Sequence, residues 1–287
     1  MKRLLPLTAL GLLLGCGDSS VPIGAVDHVE ARFDVRVSRG IVYGSGAVVE
    51  PKLAEVELRL DLYEPEGEGV EASPPGILLL HGGGWVAGDR EDERIAAIAT
   101  ALAARGYVAA SIDYRLLADS RPVPLSPAFR GFTAIPFFAA TAAEDAYAAH
   151  RWLLANTAVD PERMFIGGAS AGAVSALTLA FSADDFGIPD PPRFLGVVDL
   201  WGLIFQLDHV EAGEAAIFIV HGDADATVPF VLSEQLVARA TDVGVPFELH
   251  RVPGADHGFA NVPFFTDGPE PGVTYLDRLV LFLADLA

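Results

Sequence analysis

Gly168-Ala169-Ser170-Ala171-Gly172 puts a serine hydroxyl between two glycines, where an apolar stretch (163–167) gives way to an Ala/Leu-rich one (173–180). A strand that turns sharply into a helix at such a serine lifts the hydroxyl above the sheet edge, and side chains at the flanking positions would strike neighbouring backbone. A hydroxyl so placed can attack a carbonyl carbon, which makes acyl transfer the chemistry to look for. With 29 glycines in 287 residues the pentapeptide also arises readily by chance, so its partners must be found elsewhere.

Acyl transfer needs donors for the oxyanion that forms, a base for the hydroxyl proton and a carboxylate to orient that base. His81-Gly82-Gly83-Gly84-Trp85 follows an apolar run and offers the donors. Three glycines in a row weaken any regular element, but they let backbone N–H groups face a ligand. One amide from this loop and one from Ala171 would form an oxyanion hole. Four histidines follow Ser170. His221 ends an apolar run before a glycine, a placement suited to satisfying a backbone group; His250 lies inside a strand-like stretch, and His209 has no supporting motif. His257 sits in Pro253-Gly254-Ala255-Asp256-His257-Gly258-Phe259 with glycines on both sides, and is the best-placed base. For the acid, residues 221–229 supply Asp223 and Asp225 on a turn before a helix. Asp199 is a distant third, and Asp256 is too close to His257 to orient it.

These loops must hang on a scaffold, and the rest of the chain describes one. Stretches 29–37 and 54–63 alternate with period two, as antiparallel strands with one wet face do, and glycines in 40–46 read as a turn between them. From residue 77 the pattern changes: 77–80 is a short all-apolar run, as expected of a strand buried on both faces, 107–112 reads as the next buried strand, and 194–200, 216–220 and 246–252 as further strands. Helical stretches at 94–105, 140–155, 229–243 and 274–286 alternate with them. That alternation predicts a mostly parallel α/β sheet covered by helices on both faces, with ligands at the carboxyl ends of its strands. A loop at 116–136, with Phe129, Phe132 and the following Phe137 and Phe138, is placed to shape a pocket, although core packing explains each aromatic singly.

A formal charge of −20 argues against nucleic acid or an anionic membrane surface as a partner. Lys2-Arg3 and the apolar run 4–14 have the form of a secretory signal, too short to span a bilayer, and the run ends at Cys16, the only cysteine. This resembles a bacterial lipoprotein signal, which implies removal of residues 1–15 and lipidation of Cys16. Residues 16–28 then form a tether, and 29–287 a single catalytic domain. The expected location is outside the cytoplasm, lipid-anchored to the cell envelope, with the membrane touched only through that anchor.

Taken together, these motifs resemble the α/β-hydrolase family, in particular small esterases of the hormone-sensitive-lipase and feruloyl/acetylxylan esterase kind. The resemblance implies that Ser170 is the nucleophile, that Gly83, Gly84 and Ala171 form the oxyanion hole, and that Asp225 is the triad acid with His257 as base. The order Ser, Asp, His is the one this fold uses. Asp113-Tyr114-Arg115-Leu116 and Glu144-Asp145 also look like family landmarks, with a supporting role. Between Phe181 and Ala216 there is little room for the large helical lid of true lipases. The expected activity is hydrolysis of small or aromatic esters, free or linked to polysaccharide, with no cofactor and no metal. A serine peptidase or amidase of the same fold and a non-catalytic surface-binding lipoprotein are the alternatives.

Overall fold

The computed structural model describes residues 27–49, 52–117, 121–122, 135–185, 187–259 and 266–287. The leader, Cys16, most of the tether, Phe129 and Phe132 lie outside the described residues. Among those described, nine strands form one sheet in the order β5-β1-β2-β4-β3-β6-β7-β8-β9. Strands β1 (Asp34–Val49), β2 (Leu53–Glu66) and the two-residue β5 (Arg121–Pro122) pair antiparallel, and β2 joins the remainder antiparallel to β4 (Val108–Ile112). From β4 onward the pairing is parallel, through β3 (Gly76–Leu80), β6 (Met164–Ala169), β7 (Gly196–Leu200), β8 (Ala216–Gly222) and β9 (Phe247–Val252).

Burial explains the change of pattern along the chain. Strands β3, β4, β6, β7 and β8 are buried along their whole length, because alternate residues face two separate cores. Leu78, Leu80, Ile166, Val197 and Ile219 pack on one face with residues of α2 (Ile135–Asn156), α3 (Ala171–Ser182) and α4 (Val231–Val243). Ile77, Leu79, Phe165, Val198 and Phe218 pack on the other with residues of α1 (Glu93–Ala103) and α5 (Tyr275–Ala284). Helix ends follow local chemistry. Asp92 caps α1 by accepting from the amides of Arg94 and Ile95, Thr274 and Asp277 close a capping box on α5, and Gly244 ends α4 in the left-handed conformation.

One expectation is corrected. The glycines of 40–46 do not turn the chain; β1 runs straight through them, with register shifts between Ser38 and Ile41 and between Val42 and Gly44. Gly40 takes φ +65 at the first shift, where its amide donates to the buried Asp61. Gly46 leaves room for Arg115, whose side chain a Cβ there would overlap. Arg115 is itself buried and binds Asp145 through its own amide and its guanidinium, and Glu144 at 3.2 Å. The Arg115 and Glu144-Asp145 landmarks therefore fasten α2 to the end of β4, a supporting role as expected.

The chain leaves β3 by α1 to pair β4 on one side, then returns by α2 to pair β6 on the other. Reversal of winding opens a crevice beyond the carboxyl ends of β3 and β6. His81 and Ser170 begin the loops that border it.

Candidate active site

Ser170 follows β6 and precedes α3 with φ 52 and ψ −120, a backbone that a non-glycine residue takes only when its surroundings enforce it. Its amide donates to Leu200 and its carbonyl accepts from Val174, so the turn is held from both sides. The glycines are there for space. A Cβ at Gly168 would stand 2.5 Å from the Leu80 carbonyl oxygen, and one at Gly172 would overlap the carbonyls of Leu80 and His81. The Ser170 side chain does not cap α3; it turns to His257, with Oγ 2.8 Å from Nε2.

The turn after β8 is zipped to the turn after β9: Asp223 N–H donates to Val252 and Ala224 N–H to Ala255. That pairing carries Asp225 to His257, with Oδ2 2.7 Å from Nδ1. Asp225 Oδ1 accepts from the amides of Thr227 and Val228, both at 2.8 Å. Burial pulls its carboxyl upward, but the bond from His257 and those two amides outweigh it and hold the group below the usual carboxylate range. With Nδ1–H donating to Asp225, Nε2 is left to accept the Ser170 hydroxyl. Asp223 is spent otherwise, on Arg251 and the Gly254 amide. Two of the other histidines after Ser170 are occupied elsewhere, His209 with Ser182 and Asp185 and His250 with Glu248, whereas His221, bonded to Ser233 and the Val228 carbonyl, also brings Nε2 within 3.3 Å of Asp225 Oδ2. Asp199 is fully buried beneath the site, one oxygen on the Gly202 amide and the other without a partner.

The glycine loop lies beside the serine. Gly82 runs close enough that a Cβ on it would be 3.5 Å from that of Ser170. Gly83 (φ +113) and Gly84 (φ +63) adopt backbones suited to glycine, and the Gly83 carbonyl accepts from Val86 and Ala87 to close the turn. Among the described residues the amides of Gly83, Gly84 and Ala171 donate to no other group. They are the free donors of this edge, and the Ala171 amide also carries the positive end of α3.

Two further contacts have no signature in the sequence. The Trp85 indole Nε1–H donates to Ser175 Oγ, joining the glycine loop to α3 across 90 positions. Arg94 donates to the Gly258 carbonyl and lies over the Trp201 ring, which packs edge-on against Phe259 at 4.4 Å. The spacing of Ala171 and Ser175, one helical turn, is a hint that only the fold makes legible.

Models of known families match two parts of the chain: BD-FAE over residues 60–190 and the prolyl oligopeptidase family over residues 201–264. An uncharacterized protein of Mycobacterium tuberculosis is 30% identical over 239 residues, which are 78% of this chain and 74% of that protein. The esterase LipI of the same species is 32% identical over 153 residues, covering 49% of this chain and 42% of that one. Among solved structures, the esterase Est2 of the planctomycete Thermogutta terrifontis is similar, with a TM-score of 0.62 and 24% identity over 88% of this chain and 90% of that one. Est2 has also been solved with propionate and with butyrate bound.

Proposed function

Since the chain belongs to the α/β-hydrolase superfamily, among its carboxylesterase-type enzymes, we propose that it cleaves small or aromatic carboxylic esters through an acyl-enzyme. The observation that carries this reading is the unbroken series Ser170 Oγ, His257 Nε2, His257 Nδ1, Asp225 Oδ2, with bonds of 2.8 and 2.7 Å.

In this reading Ser170 attacks the ester carbonyl as His257 takes its proton, and Asp225 holds the imidazole in orientation and offsets the charge it acquires. The carbonyl oxygen becomes an oxyanion that the amides of Gly83, Gly84 and Ala171 receive, each such donor being worth about 3 kcal/mol in the transition state. His257 then returns the proton to the leaving alcohol. Water enters, loses a proton to His257 and attacks the acyl carbonyl; the C–Oγ bond breaks as His257 passes that proton to Ser170 Oγ, which frees the acid and restores the serine. Short acyl groups are the first to test, because among the described residues the segment between α3 and β8 holds one strand and a short 3-10 turn at Leu207–His209. The propionate and butyrate bound to Est2 favour the same choice.

Purified protein is expected to hydrolyse p-nitrophenyl acetate, with Ser170→Ala slower by at least about a thousandfold. Equal rates for the two would sink the proposal. The match of residues 201–264 to the prolyl oligopeptidase family favours a second reading, cleavage of amides by the same groups. Comparing methyl ferulate and acetylated xylan with aminoacyl anilides decides between ester and amide.

We further propose export and lipid anchoring through Cys16, on the strength of Lys2-Arg3, the apolar run and the single cysteine. Labelled palmitate should enter the wild-type chain in a bacterial host and not Cys16→Ser; an unlabelled wild type refutes the anchor.

A further inference from the structure

The oxyanion donors assigned above come from two separate pieces of backbone, the glycine loop after β3 and the first peptide of α3. A hole made of two pieces works only if something fixes their separation, since a displacement of about 1 Å can cost a hundredfold in rate. One hydroxyl is in position to do this. Trp85 follows Gly84 directly, takes φ 59 and is 7% exposed, so a bulky side chain is kept in a left-handed backbone and turned inward. Its indole Nε1–H donates to Ser175 Oγ at 3.0 Å, and the Ser175 hydroxyl donates to the Ala171 carbonyl at 2.8 Å. Ser175 is wholly buried, so no water competes for either bond. A second bond steadies the same loop residue from outside, the Leu117 amide donating to the Trp85 carbonyl at 2.7 Å.

We propose that Ser175 is a positioning residue for the oxyanion hole, setting the distance between the glycine loop and the Ala171 amide through its bond to Trp85. The inference rests on the esterase reading of the site. A serine in a helix interior ordinarily donates back to the carbonyl four residues earlier and leaves its lone pairs unused. Here they are used, by a residue 90 positions away that adjoins an oxyanion donor. Removing the hydroxyl strands a buried indole N–H, which must shift to find another acceptor, and Gly84 shifts with it. Because the oxyanion exists only in the transition state, the loss should fall on kcat and spare KM.

The test uses Ser175→Ala and Trp85→Phe, which remove opposite ends of the bond and add no volume, so either variant alone suffices. Each is expected to lower kcat for p-nitrophenyl acetate by about 10- to 100-fold, with KM within about twofold. A trifluoromethyl ketone, which adds reversibly to Ser170 and lodges its oxyanion in the same hole, should bind more weakly by a similar factor. The double variant should be no slower than the slower single one, since both break one bond. Turnover within about threefold of wild type, ketone affinity unchanged, or losses that multiply in the double variant would each overturn the role of Ser175 alone. Wild-type turnover no greater than that of Ser170→Ala would overturn the esterase reading and this inference with it.

Discussion

Asp225 and Asp199 are both buried, yet they titrate in opposite directions. At Asp225 the bonds from His257, Val228 and Thr227 overcome burial, so the folded value lies below the usual 3.8 and the group adds stability that is lost only as pH falls through that lowered value. Asp199 has the reverse sign. Burial outweighs His221 and the Gly202 amide, its carboxyl is raised, and folding binds a proton there; stability drops as pH rises toward the raised value. Asp199→Asn keeps an acceptor for Gly202 and removes the charge, so Tm should rise by a few degrees at about pH 8. The gain should shrink by about pH 4, where the wild-type group is protonated in the fold; a Tm difference independent of pH between those limits contradicts this sign. Legibility differed at this scale. His257 stood out by its flanking glycines and Ser170 by its elbow, but Asp223 and Asp225 are indistinguishable as residues on a turn. What separates them is which way the turn faces: Asp223 meets Arg251 at the surface, whereas Asp225 is folded inward by two amides.

At the scale of elements, apolar runs marked the central parallel strands well, since burial on both faces leaves few polar positions, Asp199 in β7 and His221 in β8 among them, whereas the partly exposed β9 carries Glu248, His250 and Arg251. Glycine misled once. In 40–46 it marks irregular strand and a close approach, because Arg115 needs the space at Gly46, and a contact from residue 115 to residue 46 has no local trace in the chain. The same cluster gives a prediction. Arg115→Ala strands Asp145 and Glu144 in a buried site and should cost about 3 to 5 kcal/mol in urea unfolding, beyond the range of a surface arginine. A loss below about 1 kcal/mol would mean that α2 is held by its apolar face alone.

For the whole molecule the dominant quantity is charge, 39 acidic against 19 basic residues. An ester bearing a carboxylate approaches against that field, whereas a neutral one does not. Raising salt from about 10 to 300 mM shortens the screening length from about 30 Å to under 10 Å, so kcat/KM for a succinate monoester should rise several-fold while that for its neutral ethyl counterpart stays level. Parallel salt responses for the two would exclude electrostatic exclusion as a filter on substrates. One further consequence belongs to backbone conformation. Of the six non-glycine residues with positive φ among the described residues, Trp85, Ser170, Trp201 and Phe259 stand at this one edge of the sheet. Selection for heat resistance would find its easiest backbone relief at those positions, and would lose turnover with every step it took there. A durable and still active variant must therefore be sought on the outer faces of α4 and α5, away from the residues under strain.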